Sequence, residues 1–277
     1  MIVKVVIPVY KNELSAEERH SLRQCCLILR NYQIAIVTYQ ECDLTYYKEI
    51  LMAEEVVFAI ELFDRSYFDS VQSYNRLLLN EDFYSRFKDY IYIFIYQLDG
   101  FIFKDELTEW CNKEYDYIGA PWFAGYKKHE DGCPLYKVGN GGVSLRKISS
   151  FLDIFDKKMP LSIFPFYVKN IRKKGLLKMG IKTMKMLFIL LFSNKTVSYY
   201  LKSYTDNRIN EDCFWADGLS KTKIALKVPS VIEAAHFCIE KSPAYLFDVV
   251  GRKLPFACHA YEKYEYESFW KKHIHPE

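Results

Sequence analysis

Four places in the 277-residue chain hold side chains able to do chemistry. Asp99 interrupts YIYIFIYQLDGFIFKDEL (90–107), between the apolar run Ile91 to Tyr96 and the triplet Phe101-Ile102-Phe103. A carboxylate between two runs of buried-strand character must be paired, hydrogen-bonded or bound to a cation, because burying an isolated charge is prohibitive. Asn140 stands among glycines in VGNGGVSLR, with Gly141 and Gly142 directly behind it. Glycines let backbone approach a ligand while one amide selects hydroxyls; a tight turn accounts for two of them but does not require the Asn. Glu211 and Asp212 are adjacent in NED. Such a pair can deprotonate and orient an acceptor hydroxyl, or it can simply be a solvated acidic pair favoured by a helix N-terminus. His259, in PFACHAYEKY, reads either as a satisfied core histidine or as a third ligand for a metal.

The elements that must position these residues follow from the apolar patterns. IVKVVIPVY (2–10) has the β-branched density of a buried strand. Ser15 with Glu18 forms a capping-box pattern ahead of a helix carrying Leu22, Cys25, Cys26 and Leu29. YQIAIVTY (32–39) predicts a second strand, so the opening reads β-α-β and predicts parallel pairing. A short strand is expected at 56–60, a helix over 70–90, and a central strand ending just before Asp99, where open α/β sheets collect ligands. YDYIGAPW (115–122) predicts another strand, 137–147 a glycine-rich turn feeding a strand or helix, and 207–221 a helix.

Eight cysteines without a C-x-x-C pair read as reduced thiols in a cytosolic protein, not as a disulfide framework or zinc ribbon. The apolar start of the chain is too short for a signal peptide and reads as a strand. The net charge of +3 hides an asymmetry: residues 157–204 hold eleven Lys/Arg and no Asp or Glu. The remainder carries 27 basic and 35 acidic residues.

In their order, IPVYK, SYNRLLL, YIFIYQLDGFIFKDEL, WCNKEYDYIGAPW, VGNGGVSLR, NEDCFW and PFACHAYEKY resemble a bacterial domain family of uncharacterised function related to GT-A glycosyltransferases of the surface-polysaccharide or capsule type. The resemblance covers roughly 1–150 and 205–270 and leaves 157–204 as a basic helical insertion within a single catalytic domain. It implies an α/β, GT-A-like nucleotide-diphospho-sugar transferase fold with a mixed central sheet flanked by helices. The implied reaction is sugar transfer, with inversion, from a nucleotide-sugar donor, a UDP-sugar by preference, to a glycan or polyprenyl-linked acceptor. By position it implies Pro8, Val9, Tyr10, Asn75, Gln97 and Asp99 at the nucleotide sugar, and Asn140, Gly141, Gly142 and Trp122 at sugar or acceptor. Asp212 becomes the catalytic base with Glu211 as its partner, and Asp99 and His259 become ligands of manganese or magnesium. Gln97 replaces the first acid of the D-x-D motif, which removes one charged ligand. A nucleotidyltransferase would show a glycine-rich phosphate loop near the first strand, and IPVYKNELS has no glycine. A non-catalytic carbohydrate-binding or scaffold protein is the remaining alternative.

The resemblance does not account for residues 170–195. Leu177, Ile181, Met184, Phe188 and Leu191 recur at helical spacing, with Lys174, Lys178, Lys182 and Lys185 on an adjoining face. The apolar run 186–192 is far short of the ~20 residues a bilayer span needs. The expectation is a helix lying on an anionic membrane, with no role in nucleic-acid binding, and a protein held peripherally at the inner face of the cytoplasmic membrane; the alternative is an amphipathic helix packed on the catalytic domain with its lysines solvated.

Overall fold

The computed structural model describes residues 2–171, 176–204 and 210–274. The chain divides into two compact units: 1–65 with 89–147 and 228–277, and 66–88 with 148–227.

The first unit holds every described strand. Its main sheet has the order β3-β2-β1-β4-β9-β6. These strands are β1 (Val3–Pro8), β2 (Ile34–Thr38), β3 (Phe58–Leu62), β4 (Tyr92–Tyr96), β6 (Tyr117–Ile118) and β9 (Val143–Lys147). The first four pair in parallel, whereas β9 runs antiparallel to β4 and to β6, so the sheet is mixed, as expected. Every residue of β1, β2 and β4 is buried, the pattern of strands covered on both faces. Two small sheets complete the unit: β10 (Cys238–Ile239), β11 (Ala257–Cys258) and β5 (Phe101–Ile102) in one, and the hairpin of β7 (Pro121–Phe123) and β8 (Leu135–Val138) in the other. The strand expected at 115–122 is therefore split between two sheets, with Gly119 and Ala120 outside both strands. No disulfide joins the described residues.

Helix α1 (Ala16–Ile28) begins at the expected capping box, in which Glu18 N donates to Ser15 Oγ at 3.2 Å and Ser15 N to Glu18 Oε2 at 2.9 Å. Its buried face, Ser21, Leu22, Cys25 and Cys26, packs on the sheet. α2 (Thr45–Ala53), α5 (Leu107–Asn112), α10 (Val231–Phe237) and α11 (Pro243–Val249) belong to the same unit. Two polar ties fix α1 to the segment that carries Asp99. Ser21 Oγ and the Tyr96 hydroxyl lie 2.6 Å apart and within 2.7 and 2.9 Å of the Gly100 carbonyl, so one hydroxyl donates to the other and the second proton goes to the carbonyl. Gln24 Nε2 donates to the Ile102 carbonyl at 2.8 Å.

The second unit is helical: α3 (Val71–Leu78), α4 (Glu81–Ser85), α6 (Ile148–Asp156), α7 (Phe164–Ile171), α8 (Leu176–Phe192), α9 (Val197–Tyr204) and a π-helical stretch, Cys213–Gly218. The helix expected over 70–90 is broken after Leu78, where Asn80 accepts from Asp82 N at 3.1 Å and starts a new helix. Trp215 is the centre of this unit's core. Its ring meets Tyr84, Phe151 and Phe155, and its indole N–H donates to the Leu78 carbonyl at 3.3 Å.

Because the Tyr96 hydroxyl is buried and doubly engaged, Tyr96→Phe should destabilise the protein by about 1–2 kcal/mol, the usual loss for a buried hydrogen-bonding group. Urea unfolding of the two proteins measures this; equal midpoints would show that the ties to Ser21 and Gly100 contribute nothing.

Candidate functional site

The parallel strands bring their carboxyl ends to one edge of the sheet. Antiparallel β9 brings its amino end there, so the loop before Val143 lies beside the segment after Tyr96. The ladder continues one step beyond the strands: Gln97 N donates to the Gly142 carbonyl at 2.8 Å. The second sheet delivers His259 to the same place, since β11 pairs antiparallel to β5, immediately after Asp99-Gly100. Tyr261 N reaches the Asp99 carbonyl at 3.4 Å.

His259 is the hub of this cluster. Its Nε2 lies 3.2 Å from Asp99 Oδ1 and 3.4 Å from Gln97 Oε1. Its Nδ1 lies 2.9 Å from Asn140 Nδ2 and 3.6 Å from Glu240 Oε1. The orientation of the Asn140 amide is set by its other end, where Oδ1 accepts the backbone N–H groups of Gly142 and Val143 at 2.9 and 3.2 Å. Asn140 favours a lone pair at Nδ1 and Glu240 favours a proton; full charges outweigh the amide dipole. Burial alone would lower the pKa of His259, but the Asp99 and Glu240 carboxylates overcome it and raise the value to about 10. In return, burial pushes Asp99 and Glu240 up while His259 brings both below their ordinary values. Asp99 still leaves 49% of its side-chain surface open, so it is the member of the cluster that meets solvent.

The glycine loop shapes the space in front of Nε2. A Cβ on Gly142 would collide with His259 Nε2 and come within 2.5 Å of Gln97 Oε1, so the absence of a side chain there leaves these donors uncovered. Asn140 takes φ of +87°, a conformation that Asn tolerates better than most residues, and its carbonyl accepts from the Tyr117 hydroxyl at 2.7 Å. Fully buried Arg146 supports the loop through Ser144 Oγ at 3.1 Å and the Gly141 carbonyl at 3.5 Å. Trp122 is nearly buried, its indole lying over Gly139, where a Cβ would strike the ring.

The donor types suit a hard divalent cation that displaces the Nε2 proton of His259 on binding: one carboxylate, one amide carbonyl and one imidazole nitrogen face the slot left by Gly142. Glu240 behind Nδ1 is the carboxylate partner a metal-binding histidine commonly has. Among the described residues no three His, Cys, Asp or Glu side chains form a metal-holding group, because the third donor here is Gln97.

Of the other expected site residues, Pro8 ends β1 at the same edge; Val9 is buried with its N–H on the Val37 carbonyl at 2.8 Å, and Tyr10 is 60% exposed. Asn75, Glu211 and Asp212 belong to the second unit. Both ends of the Asn75 amide are engaged there, Nδ2 with the Val71 carbonyl and Oδ1 with Glu211 N, each at 2.9 Å. Glu211 is buried; Asp212 is partly exposed, and its Oδ1 accepts from Cys213 N at 2.7 Å. Lys174 lies outside the described residues, as do the side chains of Lys178 and Lys182, whereas Lys185 and Phe188 are exposed.

Sequence reasoning missed Glu240, Arg146 and Thr38. Glu240 follows the buried run Phe237-Cys238-Ile239, the same signal that singled out Asp99. Thr38 ends β2, and its buried hydroxyl has no hydrogen-bond partner among the described residues.

The chain belongs to the family described as protein of unknown function (DUF5672), which matches residues 57–259. No curated protein matches it in sequence. Among solved structures it is similar to core-mannan synthase A (CmsA/Ktr4) from Aspergillus fumigatus in its Mn/GDP form, at 9% identity and a TM-score of 0.40, covering 77% of this chain and 71% of that one. It is also similar to an active-site mutant of LgtC, at 13% identity and a TM-score of 0.47, covering 92% and 86%. A third is the glycosyltransferase GlyE of Streptococcus pneumoniae, at 9% identity and a TM-score of 0.43, where 93% of this chain spans about half, 54%, of that one. At these values the likeness bears on neither substrate nor reaction.

If Gln97, Asp99 and His259 face a cation, Gln97→Asp adds a charged ligand and should tighten manganese binding by roughly tenfold or more. Calorimetric titration of manganese into both proteins measures it. Equal affinities in two well-folded proteins would place any cation elsewhere.

Proposed function

We propose that the chain is a glycosyltransferase that moves a sugar from a nucleotide-sugar donor to a glycan or lipid-linked acceptor. The observation that carries this reading is the convergence of Asp99, Gln97 and His259 on the space left by Gly142, at the sheet edge where β1 and β4 end. Open α/β sheets bind ligands at this edge. Exposed Tyr10, just past β1, offers an aromatic face to a nucleobase, with Pro8 and Val9 setting its position.

Asp99, Gln97 and His259 would hold a divalent cation, manganese or magnesium, and such a cation supplies charge neutralisation for a departing nucleoside diphosphate. Asn140 and Glu240 fix the plane of the His259 ring from behind, so Nε2 stays aimed at the ligand side. Gly141 and Gly142 let backbone approach the donor, and Trp122 backs the loop that carries them. Asp212, the acid expected to serve as base in an inverting transfer, lies in the second unit with a partly exposed carboxylate, beside buried Glu211, whose backbone N–H is held there by Asn75.

Incubating the purified protein with a panel of nucleotide sugars should release nucleoside diphosphate, whereas release of sugar 1-phosphate would indicate nucleotidyl transfer. Asp99→Asn, nearly isosteric, should lower that turnover on the order of 10²–10³-fold; because it also takes a carboxylate from buried His259 it should lower the melting temperature, so turnover is compared at a temperature where circular dichroism shows both proteins folded. Undiminished turnover in the variant would remove Asp99 from the site, and donor binding without any release would favour a carbohydrate-binding protein.

A further inference from the structure

Helix α8 presents an apolar face that nothing in the described residues covers. Met184 is 67% exposed, Phe188 64%, Leu191 47% and Phe192 73%, while Met186 and Leu190 are buried. At 3.6 residues per turn, the four exposed positions share one arc of about 100°, with exposed Lys185 at its margin and the two buried residues opposite. The helix is thus anchored to its own unit by one side and offers a second apolar side to the surroundings. The rings of Phe188 and Phe192 lie 5.0 Å apart, forming a single exposed aromatic surface. A contiguous apolar patch of this kind on a soluble surface marks an interaction site.

Charge identifies the occupant. Residues 157–204 carry eleven Lys/Arg and no acid, in a chain whose remainder is net acidic. Lys169, Lys185, Lys195 and Lys202 are exposed. A bilayer surface, apolar just below and anionic above, matches the apolar arc and the lysines beside it together. No described helix is long and apolar enough to cross a membrane. We infer that α8 docks in the plane of an anionic lipid bilayer, Met184, Phe188, Leu191 and Phe192 entering the headgroup and acyl boundary while the flanking lysines meet the phosphates. The inference stands on the second unit and does not depend on the reaction proposed for the first.

The test is flotation with vesicles of equal parts phosphatidylcholine and phosphatidylglycerol, against phosphatidylcholine alone, at low and high salt. The native chain should float with the anionic vesicles and lose most of that binding in high salt or without phosphatidylglycerol. Phe188→Ser with Phe192→Ser should weaken partitioning roughly tenfold per ring, and Lys185→Glu with Lys195→Glu by at least about fivefold per lysine. Both double variants alter exposed positions and should keep the native melting temperature and circular dichroism. Failure of the native chain to float, or equal flotation of the native chain and both folded variants, overturns the inference. So does a concentration-dependent dimer that the phenylalanine variant abolishes while vesicles bind neither protein, since the face would then belong to a second copy of the chain.

Discussion

An imidazole buried between two carboxylates is tolerable only while all three groups stay paired, and much of the first unit is arranged to keep them so. His259 comes from the strand that closes the small sheet, Asp99 from the turn after the central strand, and Glu240 from the end of β10. Removing one partner would leave an uncompensated charge in the interior, which is far more damaging than losing a surface ion pair. The ties of Ser21, Tyr96 and Gln24 to the backbone around Asp99 hold the turn at the required distance. The Asn140 bridge does the same for the glycine loop. One electrostatic requirement therefore links α1, two sheets and a loop.

What the sequence revealed was whatever depends on neighbours in the chain. Dense Val and Ile in 3–8 and aromatics in 92–96 mark buried strands under almost any arrangement, and the Ser15–Glu18 cap is local by nature. Asp99, Asn140 and His259 were legible because each is a polar residue in an apolar or glycine-rich setting. Their mutual contact was not, since the Gln97 and His259 side chains meet across 162 residues. Glu240 carried the same signal as Asp99 but looked like an ordinary charged residue before a loop. Arg146 was obscured by its strand: a fully buried guanidinium is rare, and only the fold shows the backbone carbonyl it must reach.

The second unit illustrates a different limit. Its core packs aromatic rings from α4, α6 and the π-helical stretch around Trp215, and the wider turns of that stretch set where its rings fall. An apolar period of 3.6 predicts helix there but cannot distinguish a π-turn from an α-turn. The same ambiguity made α8 readable as amphipathic while leaving open which stripe was inward. Met186 and Leu190, not the stripe of Met184, Phe188 and Leu191, face the unit's interior.

The order in which the pieces leave the ribosome gives the dispersed cluster a kinetic meaning. The first unit is assembled from three separated stretches, and β5 waits for β11, which lies more than a hundred residues later. At synthesis rates of about 5–20 residues per second, Asp99 and the glycine loop stand exposed for many seconds before His259 arrives. During that interval β5 is an unpaired strand beside a carboxylate that has no counter-ion, a poor template for wrong partners because the charge discourages association. The segment carrying β11 would then act as a latch on β5, converting a tolerant, unfinished sheet into a closed one, and slow non-local pairing makes that latch a late step of folding.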